Sequence, residues 1–113
     1  RTDTGPRHRP ASLTVGHAGE RIAARSLVDR GFTVLAANHR TPAGEADLIV
    51  GLEDRRWVVE VKTGVGGGAP IDRIDEAKHA RLWAIAGFLD ADGVLLVEVR
   101  LTAGGAVVAW SPG

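Results

Sequence analysis

The segment "GEADLIV" sets Glu45 and Asp47 two residues apart, and "WVVEVK" sets Glu60 and Lys62 in the same relation. Side chains alternate across a strand, so Glu45, Asp47 and Ile49 would share one face of the first segment. Val58, Glu60 and Lys62 would share one face of the second, leaving Trp57, Val59 and Val61 as its core face. A turn made of Glu53 and Asp54 places Asp47 opposite Glu60 and Glu45 opposite Lys62. Directly opposed strand residues have Cβ atoms about 5 Å apart, where like charges are destabilising. Protonation of one carboxylate, an intervening basic side chain or a divalent cation would each relieve the repulsion. Lys62 can pair with Glu45 or Glu60 but hardly neutralises three carboxylates, so a cation is the simplest complete remedy. The ligands are hard oxygens, from Asp47, Glu60 and Glu45, with no cysteine in the chain and no histidine pair beside them. That donor set favours Mg²⁺ or Mn²⁺ over zinc. The plainer reading of the same residues is a solvated strand face carrying a salt bridge.

The elements that must position these side chains are readable from periodicity and breakers. Residues 13–30 contain no proline and stop before Gly31, which predicts a helix. "FTVLAANHR" reads as a strand broken by "TPAG", and 45–52 with 56–63 read as a hairpin. The run "TGVGGGAP" at 63–70, with its glycines at 64–68, is expected to be a mobile loop. It lacks the lysine and hydroxyl residue of a phosphate-binding P-loop. A second helix is expected from Ile74 to Ala91, with Ile74, Ala77, Leu82, Ile85, Phe88 and Leu89 on its apolar side and Asp75 and Glu76 in its first turn. "GVLLVEVRL" and "AVVAW", separated by "AGG", form a last hairpin. The order α-β-β-β-α-β-β implies an α/β fold, a mixed sheet flanked by helices. On the first helix Glu20 lies on a row with Ala24 and Leu27. From there it can lean over the sheet edge toward a cation, and the same spacing fits an ordinary surface glutamate.

At 113 residues the chain suits one domain, expected at 13–113, behind a flexible tail at 1–12 that mixes proline, arginine and small polar residues. The absence of cysteine removes disulfides and thiol nucleophiles and is compatible with a reducing, cytoplasmic setting. No apolar run approaches a membrane span, and the first residues lack the apolar centre of a signal peptide. Fourteen basic and fourteen acidic residues cancel, which counts against strong, indiscriminate DNA affinity. A phosphate partner would need a local basic patch or a bound cation. Trp57, Trp83 and Trp110 are expected in the core rather than as base-stacking platforms.

Asp47 followed by "EVK" at 60–62 resembles the pattern of the PD-(D/E)XK nucleases, a restriction-endonuclease-like fold. The longer run "GHAGERIAARSLVDRGFTVLAANHRTPAGEADLIV", then "VVEVKTG", then "DEAKHARLWAIAGFLD" resembles the YraN family. These are small bacterial predicted endonucleases distantly related to archaeal Holliday junction resolvases. The resemblance covers roughly residues 16–100 and places Glu20, Asp47, Glu60 and Lys62 on the nuclease motif positions, with Glu45 in the family's Gly-Glu-any-Asp element. The chain departs from the pattern at Glu98, where relatives carry aspartate, and "AVVAWSPG" matches only loosely.

The resemblance implies a Mg²⁺- or Mn²⁺-dependent endonuclease that hydrolyses DNA phosphodiesters. Asp47, Glu60 and the Val61 carbonyl would hold the ion, Lys62 would orient water or stabilise developing charge, and Glu20 would hold a second ion or a water. Arg40, Lys78, His79 and Arg81 are the candidate phosphate contacts. Phosphate contacts carry no sequence information, so branched or flapped DNA is the expected substrate, with a homodimer where paired strands are cut. The alternative is a nuclease-like module that binds nucleic acid or a protein partner without useful turnover. The charge balance favours that alternative, and the intact Asp47, Glu60 and Lys62 set favours the enzyme.

Overall fold

The computed structural model describes residues 11–66 and 74–113. The elements are α1 (Ala11–Asp29), β1 (Thr33–Thr41), β2 (Gly44–Leu52), β3 (Arg55–Val65), α2 (Glu76–Phe88), β4 (Gly93–Thr102) and β5 (Gly105–Pro112), in the expected order. The five strands form one sheet in sequence order, antiparallel except where β3 runs parallel to β4. Parallel neighbours need a crossover, and α2 supplies it.

Local chemistry fixes the ends of these elements. Gly31, at φ +98°, closes α1 in a Schellman arrangement, with Phe32 N–H donating to the Leu27 carbonyl and Gly31 N–H to that of Val28. Asp75 caps α2 by accepting from the Lys78 N–H at 2.8 Å. Between β1 and β2 the Thr41 hydroxyl accepts from the Ala43 and Gly44 N–H groups and donates to the Gly44 carbonyl, folding the turn onto a buried threonine. The Glu53–Asp54 turn closes β2 on β3 with Leu52 opposite Arg55.

Each face of the sheet carries a core. Ala23 and Leu27 of α1 pack on Leu48, Val50, Val59, Val61, Val97 and Val99. Leu82, Ile85 and Ala86 of α2 pack on Ala46, Ile49, Val58 and Val94. The face that carries Glu60 and Lys62 is therefore also core over its first half, because the crossover helix lies on it. At Gly19 α1 lies so close to β3 that a Cβ there would run into the Thr63 side chain.

Several boundaries and burials differ from expectation. Helix α1 starts at Ala11, inside the expected tail, whose residues 1–10 lie outside the described residues. Strand β3 runs on to Val65, two residues past its expected end, because β4 continues to pair with it through Val65↔Leu101. Positions 67 and 68 of the glycine run lie outside the described residues. Phe88 is 59% exposed and Trp83 43% exposed, so neither is core. The α2 stripe is narrower than its composition suggested, with Ala86 replacing Ala77 and Phe88. Trp57 and Trp110 are half-buried and both meet Phe32.

A paired carboxylate site where two strands part

The expected register holds from Leu52↔Arg55 to Leu48↔Val59. Continuing it would set Ala46 opposite Val61. Instead the Val61 N–H donates to Asp47 Oδ2 at 2.8 Å, so a side chain takes the bond that a strand carbonyl would accept. The alternation of β2 changes phase at the same place, since Ala46 packs with Ile49 beneath α2 although strict alternation would separate them. Across the ribbon, Asn38 of β1 has φ +49° between the pairs Ala37↔Leu48 and His39↔Ala46. The β1–β2 ribbon is kinked at Asn38 and Asp47, and the kink aims the Asp47 carboxylate at β3.

There it meets Glu60, which is 8% exposed. Burial, then the Asp47 charge, pushes Glu60 from 4.5 up to about 6 against the pull of Lys78 and Lys62. Asp47 is also raised by burial, while the Val61 N–H and a hydrogen bond from Glu60 pull it down. Below about pH 6 Glu60 takes up a proton and its carboxyl can donate to Asp47. Lys78 Nζ stands 3.6 Å from Glu60 Oε2 and Lys62 Nζ 3.9 Å from the same oxygen. Lys62 is lowered by its hydrogen bond with Lys78, then by burial and the Lys78 charge. Lys78 is raised, first by that bond with Lys62. Of the foreseen remedies for opposed carboxylates, neighbouring bases are in place, and a proton joins them only as the pH falls toward about 6.

The other expected site residues lie around this pair. Glu45 adds a repulsive charge to Asp47. Glu20 accepts from Asn38 Nδ2 at 3.2 Å and lines a hollow of about 370 Å³ with His17, Arg21 and Leu48. Among the described residues, no three His, Cys, Asp or Glu side chains are grouped closely enough to hold a metal, so neither Glu20 nor Glu45 forms a triad with Asp47 and Glu60. Arg40 is exposed, with its Cα opposite that of Glu45. Arg81 is exposed, one helical turn beyond Lys78, with its aliphatic stem over Gly44. Lys78, singled out in the sequence only for phosphate contact, is a direct neighbour of Glu60. Asn38 was missed. Its signal was an asparagine inside a strand, where that residue is disfavoured unless the backbone is special.

A cavity of about 260 Å³ opens beside Lys62, lined also by Ile74, His79, Leu96, Glu98 and Ser111. The larger hollow, about 550 Å³, lies along α1 at Ala18, Arg21 and Arg25, away from the carboxylate pair. With helices on both faces and charges collected where β2 and β3 part, the structure presents a shelf of hard oxygens edged by ammonium groups.

The family model of the Uncharacterised protein family UPF0102, the YraN family, matches residues 19–101. The chain belongs to this family. A UPF0102 protein of Clavibacter michiganensis is 41% identical over 75 residues, covering 65% of this chain and 64% of the relative. One from Kineococcus radiotolerans is 39% identical over 82 residues, 71% of this chain and 67% of its own length. A UPF0102 protein of Nocardioides is 37% identical over 90 residues, 77% and 73% of the two chains. The chain spans just under two thirds of the length of the Clavibacter relative. Among solved structures the fold is similar to Hjc, a Holliday junction resolvase from the archaeal hyperthermophile Archaeoglobus fulgidus. The TM-score is 0.57 over 86% of this UPF0102 chain and 76% of that one, at 17% sequence identity, a likeness of fold.

Proposed function

We propose that this protein is a divalent-metal-dependent DNA endonuclease, selective for branched or flapped structures rather than for sequence. The observation that carries the reading is the convergence of Asp47 and Glu60 at the parting of β2 and β3, with Lys62 two residues along. A protein selected only for stability gains nothing from burying two carboxylates against each other.

The donor set fits a hard cation. Mg²⁺ is commonly held by one or two carboxylates while waters and substrate phosphates complete its shell, so the pair suffices without a third acidic residue. Asp47 and Glu60 would hold the ion. The Val61 carbonyl leaves β3 on the same side as its N–H, toward Asp47, and would be the third protein donor. A divalent ion supplies Lewis-acid polarisation of a phosphodiester oxygen and lowers the pKa of water. Lys62 places a compact positive charge beside Glu60, where it would donate to the oxygens of the scissile phosphate as charge builds on them. Lys78 and Arg81 form a cationic rim along α2, and Arg40 extends the candidate contacts to the β1–β2 end. The cavity beside Lys62 leaves room for the flanking strand. All these donors suit phosphates, so DNA shape decides binding. Cutting paired strands would require a homodimer.

The test is incubation of the purified protein with four-way-junction, flap and plain duplex DNA in Mg²⁺ or Mn²⁺, beside Asp47→Asn and Glu60→Gln. The reading requires cleavage by the wild type, preference for the branched substrates, and loss in both variants. Equal cleavage by all three proteins would remove it.

A further inference from the structure

Glu60 Oε2 faces two ammonium groups of different origin. Lys62 comes from the same strand, two residues on, and its side chain is 25% exposed. Lys78 comes from the first turn of α2, whose position is fixed by the Asp75 cap on the Lys78 N–H itself, and its side chain is 38% exposed. The backbone of Lys78 is thus anchored at the helix start, and its side chain is the more exposed of the two, with solvent to turn into. A divalent ion on Asp47 and Glu60 would lie within a few ångströms of the Lys78 ammonium and repel it. Once displaced, that ammonium would remain on the α2 rim, one turn from Arg81, where a phosphate backbone would pass.

We propose that Lys78 is a displaceable internal counter-ion, holding Glu60 until a divalent ion enters and then turning to the DNA phosphates. This rests on the reading of Asp47 and Glu60 as cation ligands. The exchange couples the two ligands: the ion frees a phosphate contact, and DNA, by engaging Lys78, removes a competitor of the ion.

Calorimetric titration of the whole chain with Mn²⁺ alone tests this, using wild type, Lys78→Gln, Lys78→Arg and Asp47→Asn. Lys78→Gln is expected to tighten Mn²⁺ binding about fivefold, the scale of one partly exposed ion pair. Lys78→Arg should keep the wild-type affinity, because the competing charge is retained. Adding a nuclease-resistant four-way junction should tighten Mn²⁺ binding to the wild type by more than to Lys78→Gln. Unchanged or weaker Mn²⁺ binding in Lys78→Gln, or tightening in Lys78→Arg as well, would overturn the role of Lys78 while leaving the metal site standing, provided Asp47→Asn abolishes binding. A wild type that takes up no Mn²⁺ would overturn the metal site and this proposal together.

Discussion

Asp47 Oδ2 accepts the Val61 N–H at 2.8 Å where β2 leaves β3, so one carboxylate both ends the strand pairing and faces Glu60. The two duties separate by mutation. Asparagine keeps an acceptor for the Val61 N–H but loses the charge, whereas alanine orphans a part-buried donor at a cost of roughly 1–3 kcal/mol. Asp47→Asn is expected to melt close to the wild type and Asp47→Ala several degrees lower, by calorimetry without divalent ions. Both should lose cleavage by a factor on the order of 10² or more. Equal melting points for the two variants would show that the hydrogen bond has no structural role.

Glu60 gives a pH dependence with a definite sign. Its carboxyl is raised from 4.5 to about 6, by burial and then by the Asp47 charge. Between those values the native state keeps a proton that the unfolded chain has released, so stability falls as pH rises through this window and stays lower above it. The size is about 2 kcal/mol for a group this buried. Glu60→Gln removes the titration. In EDTA the variant should exceed the wild type in stability by up to that amount at pH 7–8 and converge with it below pH 4.5. Urea unfolding across this range reads the difference, and a constant offset would refute the raised Glu60 carboxyl.

Gly19 is buried and rests directly on Thr63, leaving no room for a methyl group. Gly19→Ala normally favours a helix, but here the added carbon must push α1 off β3, at a cost of about 1–3 kcal/mol. Gly16, with nothing near its missing Cβ, is the control, and Gly16→Ala should be neutral or stabilising. A lowered denaturant midpoint for Gly19→Ala beside an unchanged or raised one for Gly16→Ala would bear this out, and equal midpoints would refute it.

The strand and helix order was legible because each segment carries its own period and its own stop, as Gly31 and the Glu53–Asp54 turn show. The register was legible for the same reason, since a two-residue turn fixes pairing. What strict alternation could not reveal was the kink at Asn38 and Asp47, which moves Ala46 beneath α2 and turns a carboxylate edgewise onto β3. The one mark it leaves is Asn38, an asparagine inside a strand, which does not say which way the partner strand turns. The exposure of Trp83 and Phe88 was hidden likewise, because nothing in the helix pattern says how wide a strip the sheet can cover. Lys78 was visible as a cation, but its nearness to Glu60 depends on the crossover that lays α2 over β3.

Lys62 separates catalysis from ion binding most directly. Its ammonium lies 3.9 Å from Glu60 Oε2, near enough to reach a phosphate beside a cation at that oxygen, yet it offers a cation no ligand while protonated. Replacing it with methionine keeps an apolar stem in the cavity wall that Leu96 and Ile74 also line while deleting the charge. If Lys62 stabilises charge on the phosphate, Lys62→Met should lower single-turnover cleavage by about 10²–10³-fold, the scale of losing one positioned donor. Mn²⁺ affinity should stay the same or rise, because a repelling charge has gone. A Lys62→Met protein that still cuts at the wild-type rate would assign Lys62 to neutralising the carboxylates alone, and parallel loss of Mn²⁺ affinity and cleavage would place its effect in assembling the site rather than in the chemical step.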